Sequence, residues 1–205
     1  HKHQYIAKQE EEFASSYSNR AAIYSEYGKI VCISCGFLVN NELRIKSFAN
    51  VNEAKILQDF SALLLDNHFT LCGHNIKEFD LPFICRRLLV NGLTIPECLD
   101  FQNKKPWEIN LVDTFQMWRF GDYKNYTSLK LLAKVLGVKG SKKDMDGSMV
   151  APLYWEKNPV VQELNLHNIA HYCCMDVFTT TNVIQRLMGM ASLAENLIQI
   201  EYNLC

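Results

Sequence analysis

The chain has 205 residues, 48% of them hydrophobic, and a formal net charge of −1. That is enough apolar material for one sizeable core, so a single domain is expected, and too little net charge for a bulk field that gathers polyanions. No run of 18 apolar residues exists to span a bilayer and no signal-peptide pattern opens the sequence, so a soluble, cytoplasmic protein with no membrane partner is expected.

Residues 1–26 read as a polar N-terminal arm or helix and 27–205 as one domain. Ile30 to Leu38 and the alternating Leu43-Arg44-Ile45-Lys46-Ser47-Phe48 predict two strands joined by a turn at Asn40-Asn41, a hairpin. Asn52 is a candidate cap for a helix carrying Ile56, Leu57, Phe60, Leu63 and Leu64 at helical spacing. Phe69 to Cys72 predicts a strand, and a helix then runs from Leu81 to about Val90, closed by Asn91-Gly92. Residues 93–108 read as a loop and Asn110 to Thr114 as a short strand. Ser128 caps a helix over Leu129 to Leu136 that Gly137 stops, a polar loop holds Lys142, Lys143, Asp144 and Asp146, and a long helix covers Pro159 to Met188. Leu193 to Leu204 predicts a final helix. Antiparallel strands first, then strands alternating with helices, give an α/β class.

Eight cysteines suggest disulfides or zinc, but Cys32 and Cys35 point to opposite faces of one strand and Cys173 and Cys174 diverge on a helix. Reduced, structural thiols are expected. His167 and His171 stand four apart on a helix without a partnering acid at zinc spacing, so ordinary helix histidines are expected. Of Arg86 and Arg87, one is expected to be solvated and one to form a salt bridge.

Two motifs carry chemistry. His74-Asn75-Ile76-Lys77-Glu78-Phe79-Asp80 follows a strand and enters a helix, and Tyr172-Cys173-Cys174-Met175-Asp176 lies on a helix nearly a hundred residues on. Between them come Lys104-Lys105-Pro106-Trp107-Glu108, Asp113-Thr114, Trp118-x-Phe120-Gly121-Asp122, Ser128-Leu129 and Asp146-Gly147-Ser148. With these motifs the stretch from Tyr27 to about Arg186 resembles bacterial predicted 3'-5' exonucleases related to the proofreading domain of family-B DNA polymerases, of the tyrosine subtype of the DEDD superfamily. The resemblance implies a ribonuclease-H-like fold, a mixed sheet flanked by helices, and removal of nucleotides from a 3' end with two Mg²⁺ or Mn²⁺ ions.

By that resemblance, Asp176 binds the ion that activates water, Asp80 holds the second ion, and Tyr172 orients the water and helps deprotonate it. Two hard cations about 3.5–4 Å apart suit carboxylate oxygens and the charge of phosphodiester hydrolysis. Tyr172 and Asp176 share a helix face. Asn75 would contact the terminal nucleotide, Phe79 would support or stack on a base, and His74 would contact substrate. Lys105 and Trp107, with Lys104, suit a single-stranded end. Each has a plainer reading: Asp80 as a helix cap, Phe79 as core, His74 as an imidazole bonded to backbone, Tyr172 as a half-buried aromatic, Asp176 as an exposed charge, and Lys105 with Trp107 as a solvated turn. Asp113 is read as a structural cap outside the site.

The family opens with Asp-x-Glu on its first, central strand, and no Asp-x-Glu occurs upstream of residue 30. A preceding segment of roughly 20–40 residues, two elements' worth, is therefore expected to be missing from this sequence. The 205 residues alone are expected to be weakly active or inactive. The functional expectation is a 3'-5' exonuclease acting on single-stranded or frayed DNA. The alternatives are a catalytically silent nucleic-acid-binding or scaffold module of the same fold, and an RNA-trimming exonuclease, which would differ in contacts to the 2'-OH.

Overall fold

A computed structural model of the chain describes residues 21–65, 69–123, 125–140 and 145–204. Most of the expected arm, and Lys142, Lys143 and Asp144, lie outside the described residues. The hairpin forms as expected: β1 (Cys32–Val39) pairs antiparallel with β2 (Glu42–Ala49), Val39 opposite Glu42. Asn40 and Asn41 make the turn at φ of 51° and 65°, the left-handed region that a two-residue hairpin requires and that Asn tolerates. Period-two alternation then sorts the side chains of β2. Leu43 and Ile45 turn to one face of the sheet and Phe48 to the other, where it meets Phe60 edge-to-face at 6.3 Å.

The Phe48 face is covered by α1 (Glu53–Leu64), whose first turn is capped by Asn52 accepting from the Ala54 N–H. Its stripe of Ile56, Leu57, Phe60 and Leu64 is buried, each side chain contributing about 1.5–3 kcal/mol. A second helix, α2 (Asp80–Val90), adds Leu81 and Leu88 to the same core and closes at Gly92 with φ of 68°. The loop after it contains two 3-10 turns, Glu97–Leu99 and Pro106–Glu108. The opposite face is covered by the long helix α6 (Pro159–Leu187), where Cys174 and Phe178 pack on Leu43 and Ile45. Gly36 on β1 permits this approach, since a Cβ there would stand 2.8 Å from Val177 Cγ1. Three shorter helices, α3 (Thr114–Arg119), α4 (Leu129–Val135) and α5 (Val150–Tyr154), lie between α2 and α6 in the chain.

Beside the hairpin sheet, β3 (Leu71–Gly73) and β4 (Leu111–Asp113) pair in parallel as a two-stranded sheet. Residues of β1 and β3 enter one core under α1 and α2, yet the two strands share no ladder. Among the described residues no strand occupies the second edge of β1 or of β3. The architecture is α/β, with a mixed sheet flanked by helices, of the ribonuclease-H-like class.

One expected element is corrected. The helix predicted over Leu193 to Leu204 is a 3-10 turn, Glu195–Leu197, followed by β5 (Ile198–Leu204), which pairs in parallel with the outer edge of β2. The segment also alternates, with Ile198, Ile200, Tyr202 and Leu204 on one face, and the unpaired edge of β2 decides in favour of a strand. Asn182, fully buried in α6, accepts from the Leu193 N–H at 2.7 Å and fixes where the turn into β5 begins. His171 Nδ1 meets the Tyr202 hydroxyl at 2.8 Å and the His167 ring lies 4.7 Å from the Tyr202 ring, so both histidines join α6 to β5. Among the described residues no helix is long and apolar enough to cross a membrane.

A buried ion pair ties these layers together. Arg87 on α2 donates from Nε and Nη2 to the two carboxylate oxygens of Glu53 at 2.8 and 2.5 Å, and from Nη1 to the Ser25 carbonyl. Glu53 also accepts from the Ile30 N–H and from Asn91 Nδ2. Burial pushes the Glu53 carboxyl up, but the hydrogen bonds from Arg87, Ile30 and Asn91 outweigh it and hold the group below its ordinary value. Removing one partner leaves the other charge buried. Arg87→Ala is therefore expected to lower unfolding stability by about 3–5 kcal/mol in urea melts at pH 7; a loss within 1 kcal/mol would show the pair to be dispensable.

Candidate active site

The loop from Gly73 to Asp80 leaves the end of β3 in a compact turn. A Cβ on Gly73 would lie 2.6 Å from the Ile76 side chain, so only glycine lets Ile76 fold back there. Asn75 then takes φ of 59°, a conformation Asn adopts more readily than most residues. Asp113, at the end of the neighbouring β4 and only 5% exposed, holds the turn. Its Oδ1 accepts from the Asn75 and Phe115 N–H groups, both at 2.9 Å, and its Oδ2 accepts from the Lys77 N–H at 3.2 Å. Asp113 thus caps α3, as its sequence position suggests, and also shapes the motif loop. That second role has a signal only in hindsight: an Asp-Thr at the end of a strand parallel to the one that carries the motif.

Asp80 is the first residue of α2, and Phe79 occupies the cap position without a side-chain cap bond. The plain cap reading of Asp80 therefore gives way to a carboxylate that opens the helix. Asp80 is accessible to solvent, yet protein atoms crowd its carboxyl. That crowding, with a smaller contribution from the Asp113 charge, pushes it up to about 6.

His74 is turned inward. Its Nε2–H donates to the Thr127 carbonyl at 2.8 Å and its Nδ1 lies 3.0 Å from Thr114 Oγ1. Burial lowers its pKa, which favours the neutral ring, and the Thr114 hydroxyl beside it donates to the Gly73 carbonyl at 3.2 Å. Both nitrogens are engaged within the protein, the arrangement of a structural imidazole. Asn75 Oδ1 is buried and has no partner among the described residues. The Phe79 ring is exposed, 5.9 Å from Phe83.

The second motif sits on α6. The Tyr172 hydroxyl interacts with the Asp176 carboxylate one turn on, which raises the phenol and lowers the acid. Burial raises both, and for Asp176 it prevails, so that carboxyl also lies above its ordinary value. Tyr172 is pushed well above the ordinary phenol range by burial, with the Asp176 charge second and that of Asp146 contributing. Asp146 caps the turn Gly147–Met149, accepting from the Ser148 N–H at 2.8 Å.

The predicted residues therefore fall into three groups. His74, Asn75, Phe79 and Asp80 share one loop with Asp113. Tyr172 and Asp176 form a second group, with Asp146 nearby. Lys105 and Trp107 form a third, the ammonium 5.3 Å above an indole that is 76% exposed. Burial raises both carboxyls, and the Asp113 charge adds to it at Asp80. Among the described residues no three His, Cys, Asp or Glu side chains converge to hold a metal ion.

Residues 22–203 match a family of predicted 3'-5' exonucleases related to the exonuclease domain of PolB. The chain belongs to that family. As a member of this exonuclease family it is, at a coarse level, a nuclease-type hydrolase with nucleic acid as its substrate. The match covers both motifs, all the described strands except the last residue of β5, and the loops between them. No curated protein matches the chain.

The raised carboxyl of Asp80 gives a pH signature. A group whose pKa is higher in the folded than in the unfolded protein withdraws stability as pH rises through the folded value. Ionisation of Asp80 near pH 6 therefore costs the fold something that an amide would not. Thermal melts in chelator should show Asp80→Asn melting above the parent at pH 7–8 and level with it below pH 4. Identical melting at both pH values would show that the carboxyl feels no such crowding.

Proposed function

We propose that this exonuclease-family chain hydrolyses phosphodiester bonds at the 3' end of single-stranded or frayed DNA, with Asp80 and Asp176 as ligands for two Mg²⁺ or Mn²⁺ ions. Support comes first from the Tyr172–Asp176 pair, set one turn apart on α6 in a member of a predicted exonuclease family. The donor chemistry fits such cations. Asp80 and Asp176 are hard oxygen donors whose raised proton affinity a divalent charge would relieve, and Mg²⁺ commonly takes only one or two carboxylates, completing its shell with water and substrate phosphates. When bound, such ions polarise the phosphate, favour hydroxide over water as nucleophile and stabilise the leaving 3' oxygen.

The protein side chains do the positioning. Tyr172 keeps its proton at neutral pH because its phenol is pushed up, so its part is to orient water by hydrogen bonding rather than to act as the base. Asp113 holds the turn before Asp80 through two backbone N–H groups, and so sets where the Asp80 carboxylate stands. The exposed Phe79 ring, next to Asp80 in sequence, offers a face for the terminal base. Lys105 and Trp107 offer a cationic and aromatic contact for single-stranded DNA further out, with RNA as the alternative substrate. His74 supports the site from behind.

A second reading is a silent nucleic-acid-binding module. It is favoured by the lack of any three-donor cluster among the described residues.

The test is degradation of 5'-labelled DNA and RNA oligonucleotides with Mn²⁺ by the protein with any preceding segment included, since the 205 residues alone are expected to be weakly active or inactive. The exonuclease reading expects a ladder that Asp80→Ala and Asp176→Ala each reduce by at least about 100-fold. Tyr172→Phe should slow it about 10-fold or more while leaving the Mn²⁺-induced rise in melting temperature intact. A ladder unaffected by both carboxylate changes would refute the assignment, and oligonucleotide binding without any ladder would favour the silent module.

A further inference from the structure

The Trp118-x-Phe120-Gly121-Asp122 motif has no part in the chemistry above, and its geometry is costly. Phe120 ends α3 in the left-handed region at φ of 45° and ψ of 33°, with its side chain 88% exposed. Glycine is the residue usually found in that conformation, because a Cβ there is strained. The chain thus bears both backbone strain and an exposed phenyl ring at one position, with hardly any burial in return. Strain of this kind gathers at functional sites.

Tyr123, three residues on, is 77% exposed. Its ring is nevertheless placed. The Arg119 guanidinium lies between two aromatic rings, 4.0 Å from the centroid of buried Phe115 and 5.3 Å from that of Tyr123. Arg119 also donates to Glu78 at 3.3 Å, and its Nε is buried with no partner among the described residues. Glu78 is two residues before Asp80, so this ladder of rings and guanidinium is anchored on the motif loop. Tyr126, itself exposed, lies 4.9 Å from Phe115 and 6.2 Å from His74.

From this we infer that Phe120 and Tyr123 form a stacking platform for the bases of a single nucleic-acid strand whose end lies at Asp80. The inference rests on the exonuclease reading for the identity of that strand. Each ring offers a face to solvent, and a nucleobase is the partner that any aromatic face accepts without regard to sequence. Arg119 steadies the Tyr123 ring from one side, by a cation–π contact. With a net charge of −1 and acids around the cleavage point, electrostatics draws no strand inward. Stacking supplies hold where charge does not.

The test is fluorescence anisotropy of a labelled oligothymidylate with the whole chain in chelator, so that no metal-dependent step enters. Phe120→Gly and Tyr123→Ala should each weaken binding about 5- to 100-fold, while Tyr123→Phe should stay within about twofold because the ring is kept. Phe120→Gly should also melt no lower than the parent, since it relieves the left-handed strain; a phenyl that mattered for packing would lower the melting temperature on removal. Unchanged binding by both variants, or no binding by the parent, would overturn the platform. Failure of the exonuclease reading would look different: an oligonucleotide held through Phe120 and Tyr123 that is not shortened when Mn²⁺ is supplied.

Discussion

The Asp113 carboxylate is the constraint on which the motif loop depends. A buried carboxylate is tolerated only when its lone pairs are filled, and here three backbone N–H groups fill them, two from the loop after β3 and one from the first turn of α3. The charge so held couples two chain segments far apart in sequence. It fixes the left-handed turn at Asn75, which sets the start of α2 and hence the position of Asp80. The same charge raises the proton affinity of Asp80, Tyr126 and Cys72, so one group sets both the shape and the electrostatics of that corner.

Around it the sheet is divided. The hairpin and β5 make one sheet, β3 and β4 another, and they meet only through side chains under α1 and α2. The Glu53–Arg87 pair reinforces this join from the helix side, reaching α1, α2 and the backbone leading into β1 with one set of hydrogen bonds. On the far face α6 lies close to β1 because Gly36 has no side chain, and that contact carries Tyr172 and Asp176 with it.

Sequence signals were sufficient wherever the deciding physics is local. Asn40-Asn41, Asn52, Ser128 and Gly92 act on their own neighbours, and the turn, caps and helix end they predict are present. The Arg87 salt bridge was legible as one of a pair of arginines, though not its partner. The segment 193–204 shows why the rest was not. Leu193, Leu197, Ile200 and Leu204 recur at helical spacing, while Ile198, Ile200, Tyr202 and Leu204 alternate as in a strand, so both templates fit. The choice between them lay in an unpaired edge of β2 at the other end of the sequence. The site had the same difficulty. Both motifs could be read, but the second duty of Asp113 depends on how distant segments pack.

The pairing of β5 with β2 has a consequence for the order of assembly. Residues 43 to 49 leave the ribosome well before residues 198 to 204, form the hairpin with β1, and must then wait for them before their outer edge is satisfied. Until residues 198 to 204 emerge, β2 presents a row of open backbone groups on a nascent chain. A growing polypeptide in that condition is a natural client for chaperones, and a stalled or prematurely ended translation product would carry a sticky edge that the finished protein conceals.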